Sequence, residues 1–232
     1  MEPVATHEES RTGSDPVEEE RAERAVRFSI LLGCMLAALM LAPLFGESAT
    51  GLFVARVVGV AILLAALSAV GVHVLALVLF VPTLAVQLVA HHTDAPLVVV
   101  TSVALRAILF AYVAGVIVWG VLREARVTVD AIAGAACAYV LLGFIWANLY
   151  VLVEHAWPGS FDVPGSFLVR HDPGLALIYF SFATLTTVGY DDIHPNNPGV
   201  GGICVAEAIV GQLYLAIMIA RLVGIRAARR MG

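Results

Sequence analysis

The sequence contains no lysine. All thirteen of its basic residues are arginine, set against eighteen acids for a net charge of -5, so there is no basic face to hold phosphate and a nucleic-acid binder is excluded. Charge of either sign is scarce at 13% of 232 residues, too little to cover a water-soluble globule, which sets aside soluble enzymes. Cysteine is scarce as well. Cys34, Cys137 and Cys204 each lie inside an apolar run, where a thiol reads as a small buried hydrophobe rather than a disulfide partner or metal ligand. What fills the chain is apolar: 60% hydrophobic residues and a mean hydropathy of +0.93 describe an integral membrane protein.

Residues 1–27 carry eight acids and four arginines with no apolar periodicity, and read as a disordered acidic tail. They lack the basic start and small-residue cleavage site of a secretory signal. A bilayer core of about 30 Å takes roughly 20 helical residues. On that ruler the apolar runs give six spans: Phe28 to Phe45, Leu52 to Val70, Val74 to Ala90, Leu97 to Trp119, Ala131 to Val153 and Val200 to Leu222. The second and third are fused and are divided at Gly71 and His73, because a 39-residue helix would be about 58 Å long. Pro82 is expected to kink the third.

Arginines are retained on the cytoplasmic side. With both termini inside, ten of thirteen fall there: four in the tail, Arg123 and Arg126 between spans four and five, and Arg221, Arg226, Arg229 and Arg230 at the C-terminal end. Only Arg170 falls in an outer loop. The outer segments instead carry Glu47, Asp94, Glu154, Asp162, Asp172, Asp191 and Asp192, an anionic face that raises local cation concentration.

About forty-five residues separate spans five and six and contain an apolar stretch too short to cross. Asp172 and Pro173 suit a helix start, and the thirteen residues from Pro173 to Leu185 would reach only about 20 Å, so this helix enters the membrane and must turn back. The predicted fold is an all-α membrane protein: six transmembrane helices with a re-entrant helix between the fifth and sixth.

After that helix comes Thr184-Leu185-Thr186-Thr187-Val188-Gly189-Tyr190-Asp191-Asp192, which closely resembles the selectivity filter of the potassium channels, TTVGYGD, within the tetrameric P-loop cation channels. The resemblance covers residues 131–226, and one position departs from it: Asp191 stands where the family has glycine. It implies a filter from Thr186 to Asp191 in which K⁺ loses its water to the carbonyls of Thr187, Val188, Gly189 and Tyr190 and the Thr187 hydroxyl. Val188 and Tyr190 would point away from the ions and wedge the filter against its helix, and the helix C-terminus would face a waiting cation. Asp is among the few residues that tolerate the left-handed backbone usual at glycine's place. Asp191 and Asp192 would put eight carboxylates around a fourfold mouth. Nonselective relatives are altered at the Tyr position, and because Tyr190 is retained the expected function is a K⁺-selective channel conducting passively, with a nonselective or divalent-permeable cation channel, or a non-conducting membrane sensor, as the alternatives.

One filter per chain implies a homotetramer. Gly211, twenty-two residues after Gly189, matches the spacing of the family's inner-helix hinge, with close helix packing as the other reading. Gln212, Leu215 and Ile219 share one helical stripe and would line the cavity and gate. Glu207, an acid inside span six, is assigned to filter support in neutral form through a hydroxyl such as Ser181 or Thr184, and Tyr179 is expected to bond Asp192 behind the filter. Span four holds a single arginine, Arg106, whereas steep voltage sensing needs three or four gating charges, so intrinsic voltage gating is not expected. The expected domains are the tail 1–27, a four-helix domain 28–119, a cytoplasmic linker 120–130, the pore domain 131–226 and a short tail 227–232, with no cytoplasmic ligand-binding domain after span six. Neither enzymatic activity nor a cofactor is expected, K⁺ being the permeant ion. His91, His92 and Asp94 read as interfacial polar residues, as does His194, with proton sensing as their functional alternative. The near-repeat Pro158-Gly159-Ser160-Phe161 and Pro164-Gly165-Ser166-Phe167 reads as turns. An all-arginine basic set fits the codons of a GC-rich bacterial genome, hence a bacterial inner membrane.

Overall fold

A computed structural model of the chain describes residues 26, 28–37, 39–40, 74–90, 95–123, 128–167 and 174–231. The described residues form a helical protein. In chain order the helices are α1 (Phe28–Ala37), α2 (Val74–Ala90), α3 (Pro96–Arg123), α4 (Val129–Ala156), α5 (Gly174–Leu185) and α6 (Pro198–Met231). Two short strands, β1 (Phe161–Asp162) and β2 (His194–Pro195), pair antiparallel, with Phe161 opposite Pro195 and Asp162 opposite His194.

Among the described residues three segments are long and apolar enough to cross a membrane: Pro96–Arg123, Ala131–Ala156 and Pro198–Ile225. They coincide with expected spans four, five and six. The helices at expected spans one and three are shorter apolar segments, while the second span, the acidic tail up to residue 25, the His91, His92 and Asp94 group, and the Asp172-Pro173 helix start lie outside the described residues.

The boundaries differ from the sequence reading in a consistent direction. Helix α3 runs on to Arg123 and α4 begins at Val129, so the segment expected as a linker from residue 120 is partly helix. Helix α6 continues to Met231 through the expected tail. Hydropathy marks where a helix leaves the apolar layer, not where it stops. Arg226-Ala227-Ala228-Arg229-Arg230 holds strong helix formers and no breaker, so the helix continues once the bilayer ends. At the other ends, Pro96 and Pro198 occupy first helical positions, where a missing N–H costs nothing. Thr128 caps α4 by accepting from the Ala131 amide at 3.3 Å.

Helix α2 passes through Pro82, and beside it the Thr83 hydroxyl donates to the Leu79 carbonyl at 2.6 Å. Leu109, Phe110, Val113, Ile117 and Val121 of α3 recur at helical spacing and bury against Ala135, Ala138, Leu141 and Phe144 of α4. Leu31 and Met35 of α1, Phe80 of α2 and Met218 of α6 complete that core. A second core lies nearer the strands, where Tyr150 of α4, Leu177 and Phe180 of α5, Cys204 of α6 and Phe161 and Ile193 of the connecting segments meet. Cys137 and Cys204 are buried free thiols, and Cys34 is a half-buried one.

Candidate functional site

Helix α5 ends where its amides change partner. The Thr186 amide still bonds Phe182 O at 3.0 Å, but Val188 and Gly189 both turn their amides to one acceptor, the Ala183 carbonyl, at 2.9 and 3.2 Å. Such convergence needs an unusual backbone. Thr187, Gly189 and Asp191 have φ of 59°, 58° and 64°, and the residues between them, Val188 and Tyr190, are not left-handed. Alternating handedness gathers successive N–H groups on one side of the chain and leaves the carbonyls to the other. A regular strand, by contrast, sends neighbouring carbonyls to opposite edges.

The left-handed conformation costs an ordinary residue roughly 1–2 kcal/mol, and a β-branched threonine is a genuine outlier there. Strain of this kind persists only where the surroundings enforce it. Here Ala183 O on the amide side does so, with the Thr186 hydroxyl donating to Phe182 O at 2.6 Å and the Thr187 hydroxyl to Thr186 O at 2.7 Å. Residues 186–192 are exposed on the single chain, including Val188 at 51% and Tyr190 at 64%.

Behind this segment Tyr179 of α5 stacks on Tyr190 with ring centroids 6.0 Å apart and planes 10° from parallel. Its hydroxyl donates to Asp192 Oδ2 at 3.0 Å, joining the two residues named from sequence. Asp191 and Asp192 are both exposed at the end of the segment away from α5.

Glu207 of α6 is fully buried. Of the two hydroxyls named for it, Ser181 lies against Oε1 at 2.6 Å, and Ser181 Oγ is also 2.8 Å from the Gly143 carbonyl of α4. Tyr150 of α4 donates its hydroxyl to Glu207 Oε2. Three helices therefore meet at one carboxyl. The Tyr150 ring is held in turn by Phe161 and Phe180, at 5.1 and 5.3 Å between centroids.

The last carbonyl of α5 is fixed too. Tyr139 of α4 donates to Leu185 O at 3.1 Å, and α6 approaches that carbonyl so closely at Gly211 that a Cβ there would sit 2.8 Å from it. Gly211 thus has a close backbone approach to account for it. Gly143 is equally constrained, since a Cβ would come within 2.6 Å of the Phe182 ring. Farther along α6, Gln212 and Ile219 are exposed and Leu215 half-buried on the single chain. Arg221 reaches across to the final turn of α3 and donates to the carbonyls of Leu122 and, at 3.5 Å, Val121, groups the helix itself cannot satisfy.

At the opposite end Glu154 accepts from the amides of Gly159 and Phe161, at 2.7 and 3.1 Å, and so shapes the turn at Pro158-Gly159. Gly159 is left-handed there (φ 80°), and Gly165–Phe167 forms a single 3₁₀ turn, so both near-repeats are turn segments. Asn196 closes the arrangement by donating to Gly159 O and Ser160 O. His194 stands 3.6 Å from Asp162, both side chains largely exposed. Among the described residues no three His, Cys, Asp or Glu side chains gather as a metal site.

Sequence reading missed Tyr150 and Asn148, and placed Glu154 only among the outer acids without its role in the turn. Their signal was present: two polar side chains interrupt an apolar span near one end, and polar groups in such a span need partners. Asn148 accepts from Arg106 Nε at 2.7 Å, which places Arg106 of α3 against α4.

Residues 135–225 match the family model described as "Ion channel", a region running from α4 through α5 and the alternating segment into α6. This match supports ion channel activity for a membrane-embedded protein. No curated protein and no solved structure matches the chain.

Proposed function

We propose that the chain is the subunit of a homotetrameric, K⁺-selective channel of a bacterial inner membrane, which passes K⁺ down its gradient without hydrolysis and without intrinsic voltage sensing. The observation that carries this is the alternating backbone at Thr187, Gly189 and Asp191, with amides gathered on Ala183 O. A row of carbonyls facing one way supplies oxygen ligands to a dehydrated cation when four copies surround an axis. Helix α5 is then a re-entrant pore helix between outer helix α4 and inner helix α6, and K⁺ sites form at Thr187, Val188, Gly189 and Tyr190.

Asp191 adopts the left-handed backbone that glycine would otherwise provide, which favours retained K⁺ selectivity over a nonselective pore. Exposed apolar side chains along α6, Val205, Ile209, Leu213 and Ile217, recur every four residues beside exposed Val188 and Tyr190, as a face shared with further copies would. In this reading six spans place both termini in the cytoplasm, Gln212, Leu215 and Ile219 line the cavity, Gly211 lets α6 lie against the pore helix, and Tyr179 and Glu207 support the filter. The test is ion flux into liposomes holding the purified tetramer under K⁺, Rb⁺ or Na⁺ gradients. Flux with K⁺ and Rb⁺ but not Na⁺, stopped by Ba²⁺, is expected. Equal Na⁺ flux would overturn the selectivity, and no flux with any of the ions would overturn the channel.

A further inference from the structure

We infer that Glu207 is held as a neutral carboxylic acid that donates its proton to Ser181, forming a relay from Glu207 through Ser181 to the Gly143 carbonyl that positions the pore helix between outer and inner helices. This rests on the channel reading and deepens it, since the filter-support role becomes a matter of where one hydrogen lies.

Counting donors leads to the proton. Ser181 Oγ lies 2.8 Å from Gly143 O and 2.6 Å from Glu207 Oε1, and a hydroxyl has one hydrogen to give. A carbonyl can only accept, so the Ser181 hydrogen goes to Gly143 O. The 2.6 Å contact is then a hydrogen bond only if Oε1 supplies its own hydrogen. The other carboxyl oxygen, Oε2, accepts from Tyr150. With the acid neutral, every short contact has a hydrogen in it; with the carboxylate ionised, one of the two Ser181 contacts becomes oxygen against oxygen.

The surroundings agree. Glu207, Ser181 and Tyr150 are each fully buried, and a buried carboxylate needs a cation or several donors to remain charged. The groups that face Glu207 are Tyr150 and Tyr139 from α4, Ser181 from α5 and Cys204 from α6, with no arginine or histidine paired to it among the described residues. Glu207 is a positioning residue: it touches no permeant ion and acts through the pore helix.

Infrared spectra of the full-length protein in liposomes, compared with E207Q and S181A, are read alongside K⁺ and Na⁺ flux for the same proteins and E207A. The expected result is a protonated-carboxyl band in the wild type that E207Q lacks and S181A displaces. Glutamine keeps a donor for Ser181 and an acceptor for Tyr150, so E207Q rescues K⁺ flux to within about threefold of wild type while E207A lowers it about tenfold or more. A band unaltered in both E207Q and S181A overturns the proposal, as does E207Q losing as much flux as E207A. If E207A does not assemble, the band and E207Q decide alone. The infrared comparison needs no conduction, so a silent wild type would overturn the channel reading while the band still settles the proton.

Discussion

Replacing Gly211 with alanine tests the packing on which the site depends. The added Cβ would lie 2.7 Å from Leu185 Cδ1 and 2.8 Å from Leu185 O, closer than real Cβ contacts come. The leucine side chain can rotate away, but the carbonyl cannot: it ends α5 and is held by the Tyr139 hydroxyl at 3.1 Å. Relief therefore requires moving α6 away from α5, and overpacking of this kind costs about 1–3 kcal/mol. Gly115 of α3 is the control, because nothing lies within 4 Å of its Cβ position and alanine there gains roughly 0.5–1 kcal/mol of helix propensity. At roughly 2–4 °C per kcal/mol for a chain of this size, thermal unfolding in detergent should fall by several degrees in G211A and hold or rise in G115A. G211A melting with the wild type would refute the reasoning, since it would mean that α6 does not approach Leu185 as described.

Further substitutions probe the left-handed position at Asp191 and the half-buried Arg106. Asp191 sits at φ 64°, so D191G should keep the K⁺-to-Na⁺ flux ratio, whereas D191V, β-branched and unfavourable there by roughly 1–2 kcal/mol, should lower flux about tenfold; liposome flux measures both, and a ratio collapsing in D191G would assign selectivity to the carboxylate. N148L removes the acceptor of Arg106 Nε, a charge-assisted bond of about 1.5–3 kcal/mol, and should destabilise the protein, while R106L/N148L should cost less than the sum of the two single variants because the shared bond is lost only once; thermal melts of single and double variants decide it.

The sequence by itself determined that the protein lies in a membrane, where three of its six expected spans fall, and which short segment between the last two carries the filter-like motif. Hydropathy and a local motif suffice for these because each depends on neighbours in the chain. It also gave Glu207 a hydroxyl partner, Ser181 or Thr184, and paired Tyr179 with Asp192, since a polar group in or beside an apolar span must find one. Only the tertiary structure chose Ser181 and added the partners that sequence did not name. Tyr150 lies 57 residues from Glu207 and Asn148 lies 42 from Arg106, and nothing in either stretch encodes the packing that brings them together. Helix ends escaped for a different reason, because α3 and α6 outrun their apolar stretches on helix propensity that hydropathy does not register. The left-handed Thr187 was equally hidden: no threonine prefers that backbone, and it is imposed by the common acceptor at Ala183, which exists only once α5 has folded.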